Sequence, residues 1–370
     1  MDFQILAQNV KRLRSAKNLS QEGLAETAGL SVAAIKSIEG EKGEPRVSTL
    51  RAIAKGLGVK LQVLFQPVRP LRTVRFRSTK RMRSRENILA EVARWLDDFD
   101  FLEKSLNKEM PFRLKPVRGH CSGKDLAAAA EICRKKLNLK PSEPIHDICG
   151  LLEYAGVKVL PISVASEGFF GLCVGEEDGG PAVVVNVWER IPVERQIFSA
   201  AHELGHLMLH PEAFDVSKVE ESQEEEHEAD RFAGHFLMPN EGFRKEWYEA
   251  AGLYFVDRVF KVKRIFRVSY KTVLSRLLEI GVVDSSIWKK FNIAYRHRYN
   301  RRLTFKEEPM GLDSSEPFGM HRFDFFEDRF RRLTREALEK DKISLSRGAE
   351  MLRISIDEMH DLLQSWEVVK

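Results

Sequence analysis

Apolar positions recur along this chain at two spacings, and the spacing divides it into elements. From Phe3 to Gln66 they come in short sets: Leu24, Ala25, Ala28 and Leu30, then Ile35 and Ile38, then Leu50, Ile53, Ala54 and Leu57. Separations of three and four predict short helices, and Gly29 predicts a tight turn between two of them. Ser20 and Ser31 stand where a side-chain oxygen caps a helix start. Ile88, Val92, Trp95, Leu96, Phe99 and Leu102 repeat the helical spacing and predict a packed linker helix over residues 87–106. Asp125 to Leu137 and Ile145 to Tyr154 read as two more helices. Val157–Ile162, Phe169–Val174 and Ala182–Val187 are short apolar runs that predict strands, with Gly179-Gly180 as a hairpin turn between the last two. Helical spacing resumes near Pro192, again over Glu224 to Pro239, and again over Val268 to Leu277. Residues 281–330 give a mixed, partly helical pattern. From Ile343 to Leu363 two helices are expected about a turn at Arg353–Ser355, suited to packing or dimerisation.

At 370 residues the chain exceeds one small core. The expected fold is multidomain: an all-α domain over 1–66, a basic arm and linker helix over 67–116, an α+β domain over 117–280 and a mainly helical region over 281–370. A net charge of +5 is modest, so any nucleic-acid signal must be local. Arg69, Arg72, Arg75, Arg77, Lys80, Arg81, Arg83 and Arg85 occur with no acid among them. That run fits a phosphate-contacting arm, a solvated connector or a contribution to the field of an active-site cleft. No apolar run approaches a membrane span. Cys121, Cys133, Cys149 and Cys173 are scattered with no CxxC pair, which favours reduced thiols and a cytoplasmic protein.

The chemistry concentrates in Ile197 to His210, IFSAAHELGHLMLH. His202 and His206, four apart, share one helix face and can bind one zinc ion, with Glu203 next to the first as a general base. In the following helix Glu228 lies on the row of Phe232 and Phe236, which points it at the buried side. It is the expected third ligand, completing a two-His, one-Glu site with an open position. The strand Ala182–Val187, with Val184, Val185 and Asn186, is expected to pair with an extended substrate.

Two resemblances sharpen this reading. LSQEGLAETAGLSVAAIKSIEGEKGEPRVSTLRAIAKGLGVKLQVLF resembles the Xre/lambda-repressor-like helix-turn-helix family. The likeness and the spacing place Gln21, Ser31, Val32, Ala33, Lys36 and Ser37 towards DNA, with Arg46 on a phosphate. VVVNVWERIPVERQIFSAAHELGHLMLH followed by HEADRFAGHFLMP is similar to the ImmA/IrrE zinc metallopeptidases, through Asn186, Arg195, Glu228-Ala229-Asp230 and Leu237-Met238-Pro239. Together they imply a DNA-binding regulator, expected to act as a homodimer on a double-stranded operator. Fused to it would be a zinc endopeptidase whose substrate is a protein such as a repressor or antitoxin. The alternative is a transcription factor whose zinc domain senses or scaffolds without turnover.

Overall fold

The chain forms two compact units in the computed structural model, which describes residues 3–17, 19–67, 69–78, 85–121, 125–166, 168–214, 222–303 and 316–367. One unit comprises residues 1–71 and 81–97; the other comprises 72–80 and 98–370.

The first unit contains α1 (Phe3–Ala16), α2 (Gln21–Ala28), α3 (Val32–Glu39) and α4 (Val47–Gly56). Leu6, Val10, Leu24, Ile35, Leu50, Ile53, Leu57 and Leu64 close its core. Ser20 and Ser31 cap α2 and α3 by accepting hydrogen bonds from the backbone N–H of Gly23 and Ala34. Gly29 ends α2 in the left-handed region at φ +63°, where a side chain would be strained. Glu39 ties three helices together. Its carboxylate accepts from Arg14 Nε at 2.6 Å, Arg14 Nη2 at 2.9 Å and Gln21 Nε2 at 2.7 Å.

The second unit is built on a sheet of order β1-β3-β4-β2, from β1 (Val74–Ser78), β2 (Lys158–Ile162), β3 (Phe169–Val174) and β4 (Ala182–Asn186). β1 and β4 run antiparallel to β3, and β2 runs parallel to β4. Residues 67–116 are therefore not simply an arm and a linker helix, and the sheet begins well before Val117. The buried Asp178, after β3, draws β1 in by accepting from the N–H groups of Arg72 and Thr73, each at 2.6 Å. The helix of this region, α5 (Arg85–Leu106), contributes residues to both units. Lys80, Arg81 and Arg83 of the basic run lie outside the described residues.

In chain order follow α6 (Arg118–Cys121), α7 (Leu126–Lys136) and α8 (Ile148–Tyr154), then α9 (Val193–Leu209) and α10 (Gln223–Leu237). α9 packs on β3 and β4, and α10 packs on α9 and α7. The core holds Leu204, Leu207, Phe232, Phe236 and Val185, so the expected apolar stripes do face inward. Next come α11 (Asn240–Glu249), α12 (Phe255–Phe266), α13 (Tyr270–Glu279) and α14 (Ile287–Tyr299). The chain closes with α15 (Arg329–Glu339), α16 (Leu345–Leu352) and α17 (Ile356–Glu367). Arg353 makes the turn before α17 in the left-handed region. Phe330 packs on Phe99 of α5 with centroids 5.4 Å apart, and Arg329 pairs with Glu103. The C-terminal helices are thus docked on the second unit through packing and buried charge.

Candidate metal centre and nucleic-acid interface

α9 carries His202 and His206 one turn apart, both fully buried. Their Nε2 atoms lie 2.9 Å apart. Gly205 lets α10 approach this face: a Cβ there would stand 3.1 Å from the Phe232 ring and 3.3 Å from the Ala229 backbone. The acid that α10 brings to the two imidazoles is Glu226. Its Oε2 is 3.3 Å from His202 Nε2 and its Oε1 is 3.1 Å from His206 Nε2. These three side chains offer ligand atoms close enough to share one metal ion.

Glu228, the acid expected there from sequence, meets His210 instead, with Oε2 2.7 Å from Nε2. The row through Phe232 and Phe236 runs along one margin of the buried stripe. Glu226 lies three residues before Ala229 and seven before Ala233, near the stripe's other half. Glu228 is one residue before Ala229, about 100° round the helix, and its side chain is 41% exposed against 16% for Glu226. A seven-residue spacing back from Ala233 was the available signal.

The donor set fits a cation. Asp230 Oδ1 lies 2.7 Å from His202 Nδ1, and a carboxylate can only accept, so the ring proton sits on Nδ1. The Nε2 lone pair of a neutral His202 then faces another imidazole nitrogen and a carboxylate, an arrangement that a bound cation resolves. Burial, the largest influence, pushes the His206 pKa down to about 3, which keeps it a neutral donor. Arg75 of β1, itself 7% exposed, adds a fork: Nη1 reaches Glu225 at 2.6 Å and Nη2 reaches Glu226 at 3.2 Å. This arginine belongs to the run read as an arm, and the alternation Val74, Phe76 against Arg75, Arg77 was its strand signal.

Glu203 is 1% exposed and sits beneath β3. A Cβ on Gly171 would lie 3.0 Å from Glu203 Oε1 and 2.9 Å from the Val184 carbonyl, so the glycine makes room for the acid. Val184, Val185 and Asn186 are fully buried and do not form a substrate edge. β4 lies between β3 and β2, so its backbone is committed on both sides. The Asn186 side chain accepts from the N–H of Val164 and Trp188 and donates to the carbonyls of Val164 and Phe169, pinning the loops around it.

In the first unit α3 exposes Ala33 and Lys36, and Ser31 and Arg46 are exposed at helix starts. Val32 is half-buried against the core, the Ser37 hydroxyl donates to the Lys42 carbonyl, and Gln21 donates to Glu39. Ser31, Ala33, Lys36 and Arg46 are thus the fully exposed members of the expected set.

Comparison with known proteins accounts for both regions. Residues 10–64 match the family described as helix-turn-helix, and residues 152–278 match the IrrE N-terminal-like domain, Peptidase_M78. The chain is a helix-turn-helix protein fused to an IrrE-like domain of a peptidase family. A stretch of 61 residues is 43% identical to Control protein C.SmaI of Serratia marcescens, covering 16% of this chain and 73% of that protein. The IrrE-like match contains α9, α10 and the His202–His206–Glu226 set, whereas β1 and Arg75 lie upstream of it.

Proposed function

We propose that this protein is a DNA-binding transcriptional regulator carrying a zinc-dependent endopeptidase, with a protein substrate such as a repressor or antitoxin. The observation that carries the reading is the convergence of His202 Nε2, His206 Nε2 and the Glu226 carboxylate on one point. A zinc ion there would supply Lewis acidity, polarising a carbonyl and acidifying water. Glu203 would accept a proton from the attacking water and return it to the leaving amine. Asp230 orients His202, and Arg75 holds Glu226 against the site. A peptide is better matched to β1, an outer strand beside β3, than to the enclosed β4. Lys36 and Arg46 would meet phosphate or base edges of an operator, read by a dimer whose half-sites lie about one helical turn apart.

One observation favours the sensing alternative: the Glu203 carboxylate is sealed beneath β3 rather than open to a cleft. Zinc-loaded protein incubated with candidate repressors, beside Glu203→Gln, decides between them. The endopeptidase reading expects cleavage that falls by about 10²–10⁴ in the variant with zinc and DNA binding retained. Absence of cleavage, with wild-type gene regulation by the variant, would replace it with the sensor. For the first unit, Lys36→Ala is expected to weaken operator binding and flatten its salt dependence by about one counterion, measured by titration at several salt concentrations.

A further inference from the structure

Beyond the three ligand atoms, a second chain of contacts runs outward from His206. Its Nδ1 lies 3.1 Å from His210 Nδ1, and His210 Nε2 lies 2.7 Å from Glu228 Oε2. His210 follows the last turn of α9 and is nearly buried, whereas Glu228 is half-exposed on α10. The two outer residues therefore link the end of the His-bearing helix to its neighbour.

We infer that His210 and Glu228 are positioning residues: a hydrogen-bond relay that sets His206 in the one tautomer able to bind a metal. The argument is proton counting. A carboxylate has no proton to give, so His210 Nε2–H donates to Glu228. A neutral imidazole has a single N–H, which leaves a lone pair on His210 Nδ1. Two lone pairs cannot form a hydrogen bond, so His206 Nδ1–H donates to His210. The lone pair of His206 is thereby placed on Nε2, the atom facing His202 and Glu226. His202 reaches the same state through direct contact with Asp230. The two imidazoles are thus prepared by unequal means, one by an adjacent acid and the other by an acid one ring away. Outer hydrogen bonds of this kind raise ligand basicity and fix ring orientation.

The relay rests on the metal reading above, and zinc affinity of the full chain, measured by competition with a chelator, separates the two. Glu228→Ala is expected to weaken zinc binding about tenfold, and His210→Phe, which keeps a ring but no nitrogen, by about 10–100-fold. Glu228→Gln, whose amide oxygen still accepts from His210, should stay close to wild type. In the double variant Glu228→Ala/His210→Phe the loss should equal that of His210→Phe alone, because Glu228 acts only through the ring. Nitrogen NMR of wild type should place the His210 proton on Nε2, and Glu228→Ala should remove that preference. If Glu228→Ala binds zinc within twofold of wild type, or the two losses add, the relay is wrong while the metal site stands. A wild type that takes up no zinc overturns the metal reading and the relay with it. Should His210→Phe fail to fold, the Glu228→Ala and Glu228→Gln pair still decides, since that side chain is half-exposed.

Discussion

A single carboxylate separates the two possible ligand sets on α10. Glu225, Glu226 and Glu228 lie within one turn, yet they face Arg75, the two imidazoles and His210 respectively. Glu226→Ala removes a ligand atom, so it is expected to reduce zinc binding by more than the roughly 10–100-fold of an outer-shell change. Glu225→Ala loses one arm of the Arg75 fork and should retain one metal per chain. Metal analysis of both variants after dialysis checks this; zinc kept by Glu226→Ala and lost by Glu225→Ala would reverse the assignment.

At the scale of elements, the docking of α15 beside α8 places an acid where water is scarce. Glu153 is 4% exposed, and burial, then the charge of Asp328, raises its pKa to about 8 against the pull of Arg329. Below the unfolded value near 4.5, both states hold the proton and the group contributes its full stability. Between that value and about 8 the unfolded chain ionises while the folded one does not, so this contribution is lost as pH rises. Glu153→Gln removes the titration. It should match wild type at pH 4 and exceed it at pH 9 by roughly 1–3 kcal/mol. Urea denaturation at both pH values measures the gap, and an equal gap at the two would show that Glu153 is not its source.

On the scale of the whole molecule, the IrrE-like region does not stand alone. β1, Arg75 and the second half of α5 come from upstream of the matched residues, and α15 packs onto α5 through Phe99 and Glu103. A chain beginning at residue 117 would lack β1, expose the β3 edge and leave Glu226 without Arg75. It is expected to be poorly soluble or to bind zinc more weakly than the full chain. Size-exclusion chromatography and chelator competition would test this, and a monomeric fragment with wild-type zinc affinity would show that β1 is dispensable.

Local patterns in the sequence determined a good deal of this protein. Helical spacing, the caps at Ser20 and Ser31 and the three apolar strands depend on neighbours within a few residues, and so did the pairing of His202 with His206. The helix-turn-helix and the IrrE-like region were legible because their motifs are compact. Tertiary structure decided what depends on distant chain. Whether Val184 sits on an outer or an inner strand is a matter of sheet order, and β4 became an inner strand because β2 and β3 flank it. Val74–Ser78 was obscured by its arginines, whose charge reads as solvated until Glu225 and Glu226 arrive from 150 residues away to neutralise Arg75. The choice of Glu226 over Glu228 turned on the rotation of α10 against α9. A helix's own periodicity locates its buried stripe to within about one residue step, or 100°, and only the packed neighbour resolves which edge meets the two imidazoles.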